Sequence, residues 1–291
     1  MIEFNIWKDC KNNCKFCFNR IRNNTDNKLS ILKQVNFLLD EKEIEYYKNI
    51  SLIGGEIFDS QLDNPEVKIE FYKIVEKIIN KNKKVFIMTN LIYQDNKDFY
   101  DFINFIKKNN YYDNITISTS YDIWGRFCEK TKKIFDKNFK YLNKNKIKTT
   151  MTIILSAVFL EQYNTNKINI KKLRKQYTDF IYFISPNTGE GNDFNSFMTQ
   201  NDRINFFPKR LDFIVFLNKM FFYDKDYKVE DFMNSDYHKG IHYELKNNKL
   251  VKREMNEDNL SCFKLRNYID DETNNMKTDF INFRKSFYDY L

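Results

Sequence analysis

Short runs of β-favouring residues alternate with stretches of helical periodicity over roughly the first 190 residues, and this alternation narrows the fold more than any other feature. Ile2, Phe4 and Ile6 alternate with Glu3 and Asn5, as in a strand. Residues 50–53, 85–88, 115–119, 151–155 and 180–184 are five further apolar runs of strand length. Between them, apolar residues recur at spacings of three and four. Ile31, Leu32, Val35, Leu38 and Leu39 mark one helix, with Ser30 as its candidate cap. Ile69, Tyr72, Val75 and Ile79 mark a second, Phe99, Phe102, Ile103 and Ile106 a third, and Ile134, Phe135, Phe139 and Leu142 a fourth. Residues 171–177 also read as helical. Six strands separated by helices call for right-handed crossovers and a parallel sheet. Periodicity does not distinguish an open wound sheet from a barrel.

After about residue 192 the alternation stops. Residues 209–222 read as a long apolar helix, Tyr243 to Lys252 as a hairpin turning at Asn247-Asn248, and Met276, Phe280, Phe283 and Phe287 as one face of a last helix. The chain is therefore divided into an α/β body over residues 1–192 and a C-terminal α+β extension over 193–291. With 42% hydrophobic and 17% aromatic residues there is ample material for a core. The net charge of +8 arises from lysines spread from Lys8 to Lys285 among 40 acidic residues, a mixed solvated surface that gives a nucleic-acid partner little support. No apolar stretch is long enough to cross a bilayer, and the first residues lack the pattern of a signal peptide, so a cytoplasmic, non-membrane protein is expected.

The five cysteines are unevenly placed. Cys10, Cys14 and Cys17 fall in the loop after the first strand, whereas Cys128 and Cys262 are far away. An odd count argues against a disulfide framework, and a tight thiol trio suits a metal site. Cysteine sulfur is a soft ligand for zinc or for iron–sulfur clusters. Structural zinc closes with four protein ligands, and this loop supplies three. A [4Fe–4S] cluster usually takes four thiolates, so three leave one iron open to another ligand.

Cys10-x3-Cys14-x2-Cys17, with the aromatic Phe16 before the last cysteine, resembles the signature of the radical S-adenosylmethionine (radical SAM) superfamily. The likeness extends further. Gly54-Gly55-Glu56 after the second strand is similar to that family's GGE segment, where glycine backbone approaches the methionine end of the cofactor. Thr89-Asn90 ends the third strand, where the family often has a polar pair near the cofactor. Ser118, Ser120 and Asp122 end the fourth in the form that holds the ribose. Arg126 stands where relatives pair an arginine with the methionine carboxylate, a task its fork suits. The resemblance implies a partial (β/α)6 TIM-like barrel over residues 1–192, with its site at the C-terminal ends of the strands.

The resemblance further implies that Cys10, Cys14 and Cys17 bind a [4Fe–4S] cluster and that S-adenosyl-L-methionine chelates the fourth iron. One electron, from a flavodoxin- or ferredoxin-type donor, then cleaves the sulfonium and yields a 5′-deoxyadenosyl radical that abstracts hydrogen from a small-molecule, nucleotide or peptide substrate. The competing reading is a non-catalytic protein that uses the cysteine loop as a zinc or iron–sulfur knot. Cys128 and Cys262 read first as buried inert thiols, with Cys262 the better candidate for a catalytic hydrogen donor. His238 and His242 read as polar residues entering the hairpin, and residues 187–192 as a glycine-relieved loop where substrate or adenine is met.

Overall fold

The structure, a computed structural model, describes residues 1–12, 14, 15, 17, 27–59, 62–93, 95–184, 200–206, 212, 215, 216, 219 and 240–255. Phe16, His238, Cys262, residues 187–192 and the helix expected over Met276 to Phe287 lie outside them.

Six strands run in the order the sequence predicts: β1 (Ile2–Asn5), β2 (Asn49–Ile53), β3 (Lys84–Met88), β4 (Ile115–Tyr121), β5 (Lys148–Ile154) and β6 (Ile181–Ile184). Helices connect them: α1 (Lys28–Leu38) and α2 (Lys42–Glu45), α3 (Pro65–Asn80), α4 (Lys97–Lys108), α5 (Glu129–Lys144), then α6 (Ala157–Asn164) and α7 (Ile170–Gln176). A further helix, α8 (Gln200–Phe206), and the strands β7 (Gly240–Lys246) and β8 (Lys249–Met255) follow. All eight strands join one sheet in the order β6-β5-β4-β3-β2-β1-β7-β8, parallel except for β8. The α/β architecture is that of a partial TIM-like barrel.

The strand registers explain the burial. Ile2, Ile50, Val85 and Ile115 form one row across the sheet, and Phe4, Leu52, Ile87 and Ile117 the next. Both rows are buried in the core with Phe71, Ile74, Phe99, Phe102, Phe135 and Phe139 from the helices. Because side chains alternate along a strand, Glu3, Asn5, Ser51, Thr116, Ser118 and Thr150 fall on the opposite face. That face is polar, which the strict apolar runs of a doubly buried sheet are not. His242 lies on it too, paired with Glu3 in register and 2.7 Å from its carboxylate.

Two local expectations need correction. Ser30 does not cap α1; Asn27 does, accepting from the Ser30 amide, because the helix begins two residues before Ser30. Ile69 is 54% exposed, and the buried face of α3 is Val67, Phe71, Ile74, Val75, Ile78 and Ile79. This helix carries apolar residues on more than one side; Val75 and Ile79 of the expected stripe are buried and Tyr72 packs against the core, and Ile69 alone departs from it.

Helix exits follow a common device. Asn82, Asn110, Lys146 and Asn166, just past α3, α4, α5 and α6, all have φ between 56° and 62°. A left-handed residue here turns the chain off the helix, and asparagine tolerates that conformation better than most side chains. In a chain with only six glycines, asparagine takes the role. The same preference builds the hairpin, where Asn247 (φ 48°) and Asn248 (φ 61°) form the two-residue turn expected between β7 and β8.

Candidate active site

Because β1 to β4 are parallel, the segments that follow them emerge at one edge of the sheet. That edge gathers the cysteine loop, Gly54-Gly55-Glu56, Thr89-Asn90 and Asp122 to Arg126 from four strand ends.

The first two segments remain zipped beyond their strands. Ile6 N donates to Ile53 O (2.8 Å), Gly55 N to Trp7 O (2.8 Å) and Glu56 N to Asp9 O (2.8 Å). The backbones approach so closely that a Cβ on Gly54 would lie 2.5 Å from Trp7 O, and one on Gly55 only 2.0 Å from Asp9 O. Within this chain, the glycines make room for the backbone leading into the cysteine loop.

Glu56 is fully buried. Its Oε1 accepts from Phe58 N (3.1 Å) and Thr89 Oγ1 (2.7 Å), and its Oε2 from Asn90 N (2.7 Å). Burial pushes its pKa up to about 7, against the pull of the Asn90 amide, the Thr89 hydroxyl and the Phe58 amide. The carboxylate thereby ties the loop after β2 to the loop after β3. Asn90 extends the connection, its side-chain amide donating to Cys10 Sγ at 3.7 Å. Asn12 adds a second tie between the cysteine loop and this region, donating to Ile92 O (2.8 Å).

On the other side stands the loop after β4. Asp122 is fully buried; its Oδ1 accepts from Trp124 N (3.0 Å), while Oδ2 has no hydrogen-bond partner among the described residues. Burial raises its pKa to about 7, opposed by Arg126 and by the Trp124 amide. Arg126 Nη1 donates to Ser120 O (2.7 Å) and Oγ (2.6 Å). Burial works against the charge on Arg126, but Cys14, which accepts a hydrogen bond from it, together with Asp122 and Cys17, outweighs that effect and keeps the guanidinium charged. The Ser118 hydroxyl is 2.8 Å from that of Thr150 on the neighbouring strand, so it already has a partner within the sheet.

The structure thus brings Cys10, Cys14, Cys17, Gly54, Gly55, Glu56, Asn90, Ser120, Asp122 and Arg126 to one edge, with Ser118 on the strand beneath. Cys128 is exposed at the start of α5 and is not a buried thiol.

Residues 4–118 match a family model described as a 4Fe-4S single cluster domain. Among solved structures, anSMEcpe with bound AdoMet is similar over 81% of this chain and 59% of its own, with a TM-score of 0.52 and 18% identity. The same protein with bound AdoMet and the Cp18Cys peptide aligns over 81% and 61%, with a TM-score of 0.52 and 17% identity. Streptococcus suis SuiB bound to S-adenosylmethionine aligns over 89% and 64%, with a TM-score of 0.54 and 13% identity. The chain has the radical SAM fold. It spans about three-fifths of the length of these structures. No curated protein sequence matches it. No helix among the described residues is long and apolar enough to cross a membrane.

The matching family model describes a [4Fe–4S] cluster domain and the similar structures hold AdoMet, and the donor chemistry of this chain fits both groups. Three thiols outside any disulfide share one loop, with an amide donor on Cys10 and a guanidinium on Cys14. Thiolate ligands need such donors to offset their charge. Among the described residues, no group of three His, Cys, Asp or Glu side chains converges as a single metal ion requires. A cluster, with its irons at separate corners, makes no such demand. The buried, unpartnered Asp122 Oδ2 is an acceptor suited to a ribose hydroxyl.

Sequence reasoning missed the contact that joins the cysteine loop to the loop after β4. Lys15 N donates to Gly125 O (3.1 Å), Lys15 Nζ lies 5.7 Å from the Trp124 ring, and Gly125 has φ +83°. Trp7 donates from Nε1 to Glu56 O at 3.3 Å. Both tryptophans of the chain flank the site, and their rarity was the signal available.

Proposed function

We propose that this chain is a radical SAM enzyme that cleaves S-adenosylmethionine reductively and abstracts a hydrogen atom from its substrate. The observation that carries the reading is the juxtaposition of Cys10, Cys14 and Cys17 with Asn90 and Arg126 at one edge of a radical SAM fold. Cys10, Cys14 and Cys17 hold the cluster. Gly54, Gly55, Glu56, Asn90, Ser118, Ser120, Asp122 and Arg126 line the cofactor. Asp122 accepts from the ribose, and Arg126 remains charged to meet a carboxylate. When bound, the reduced cluster supplies the electron that converts S-adenosylmethionine to methionine and a 5′-deoxyadenosyl radical. The chain's own part is to position the cofactor and exclude water.

A peptide substrate is the better supported class, since a similar structure, anSMEcpe, carries a bound peptide. A flavodoxin- or ferredoxin-type protein delivers the electron.

Anaerobic reconstitution tests the reading. Iron and sulfide at about four per chain, with 5′-deoxyadenosine released on dithionite reduction, support it. Zinc uptake with intact S-adenosylmethionine contradicts it. Cys14→Ala removes a thiolate ligand, so the brown colour and the iron should both be lost; retained colour would contradict the cluster assignment.

A further inference from the structure

Asn90 is held by its backbone N–H and by both ends of its side-chain amide. Its backbone N–H donates to Glu56 Oε2 (2.7 Å), and its Oδ1 accepts from Ile92 N (2.6 Å). A backbone N–H can only donate, so the atom facing Ile92 must be the oxygen, and the amide nitrogen is turned toward Cys10 Sγ, 3.7 Å away. Glu56, which holds Asn90 by its backbone, is itself immobilised by Phe58 and Thr89. The result is a relay from the loop after β2, through the loop after β3, to a sulfur in the loop after β1.

We propose that Asn90 is a positioning residue that acts through Cys10, its N–H···S hydrogen bond raising the reduction potential of the cluster held by Cys10, Cys14 and Cys17. The inference rests on the reading of those cysteines as cluster ligands. Reduction adds negative charge that spreads onto the thiolates. A donor on sulfur therefore stabilises the reduced state more than the oxidised one. An uncharged N–H on one of three thiolates is worth roughly a tenfold change in the one-electron equilibrium, about 59 mV.

The test is an anaerobic redox titration of the reconstituted full chain, monitored by EPR of the reduced cluster, for wild type, Asn90→Asp and Asn90→Leu. Asn90→Asp preserves the volume and the oxygen that accepts from Ile92 N but puts a charged oxygen where the donor was, whereas the uncharged Asn90→Leu removes the donor alone, and a merely structural role would leave its potential unmoved. Both variants should have lower midpoints, Asn90→Leu by about 59 mV and Asn90→Asp by more, since it adds negative charge. Pulsed EPR of wild type exchanged into deuterium oxide gives a second measurement that does not depend on the leucine variant folding. It should show exchangeable deuterons coupled to the cluster, with one fewer in Asn90→Asp than in wild type and the Arg126 donor to Cys14 present in both. A midpoint unchanged or raised in Asn90→Leu, or a set of coupled deuterons undiminished in Asn90→Asp, overturns the proposal while leaving the cluster assignment standing. A wild type with no reducible cluster removes both.

Discussion

Replacing Gly55 by alanine should destabilise the protein before any cofactor is considered. The new methyl carbon would sit 2.0 Å from Asp9 O, 2.5 Å from Asp9 C and 2.5 Å from Lys8 O. All three obstacles are backbone atoms, so no side chain can swing aside, and the strand extension must move as a unit. That movement costs about 1–3 kcal/mol in overpacking. It also strains the bonds from Gly55 N to Trp7 O and from Glu56 N to Asp9 O, each worth about 1 kcal/mol. A less flexible unfolded chain returns about 0.4–1 kcal/mol. The net loss is therefore about 2–4 kcal/mol, a large share of a typical stability of about 5–15 kcal/mol. Urea unfolding of the cofactor-free protein, followed by circular dichroism, reads this directly. At a slope of about 2–3 kcal/mol per molar, the midpoint should fall by about 1–2 M. Gly54→Ala, whose new methyl meets Trp7 O at 2.5 Å, should shift it in the same direction by less. A Gly55→Ala midpoint within about 0.2 M of wild type at an unchanged slope would refute the argument, and would mean that the glycines serve only a bound ligand.

Three further outcomes follow from the geometry. Lys83 is buried and donates to the carbonyls of Ile44 (2.9 Å), Glu45 (3.1 Å) and Tyr47 (2.7 Å) at the end of α2, so Lys83→Met should cost about 2 kcal/mol in thermal unfolding; an unchanged melting temperature would show that water replaces the ammonium freely. Glu56 has a folded-state pKa raised from 4.5 to about 7, so its proton is held more tightly in the folded protein. The stability it contributes is complete below about pH 4.5 and is lost as pH rises through about 7. The loss is on the order of 3 kcal/mol, and melting temperatures of Glu56→Gln should lack that part of the slope between pH 4.5 and 7; an identical slope contradicts the assignment. Lys146 is exposed and left-handed at φ 57°, so Lys146→Gly should stabilise by about 1 kcal/mol, measured by urea unfolding, and a loss of stability would count against the helix-exit argument.

Much of the fold was legible because period-two and period-3.6 patterns are set by burial. Phe99, Phe102, Ile103 and Ile106 are all buried on the face their spacing predicts. The α3 stripe was legible in part: Val75 and Ile79 are buried and Tyr72 packs against the core, but Ile69 is as apolar as they are, and only the partner surface leaves it exposed. Strand order was partly legible. Parallel crossovers between neighbours follow from chain order, whereas the placement of β7 beside β1 is a contact between distant segments that leaves no periodic trace. At the site, motif spacing located the residues. It could not show that Glu56 binds three donors of its own chain, or that the Ser118 hydroxyl is engaged by Thr150, because those contacts depend on which side chains adjoining strands bring into register.

The pairing of β1 with β7 has a consequence for how the protein is made. One flank of the strand that feeds the cysteine loop stays bare until residues 241–243 leave the ribosome, which at about 5–20 residues per second is roughly ten to fifty seconds after β1 itself. During that interval an open strand edge that leads into three thiols invites association with other nascent chains. Loading of the proposed cluster would then be safest as a late event, after the distant hairpin has closed the flank, and crowding or slow translation in the stretch before residue 240 should lower the yield of loadable protein more than the same delay further downstream.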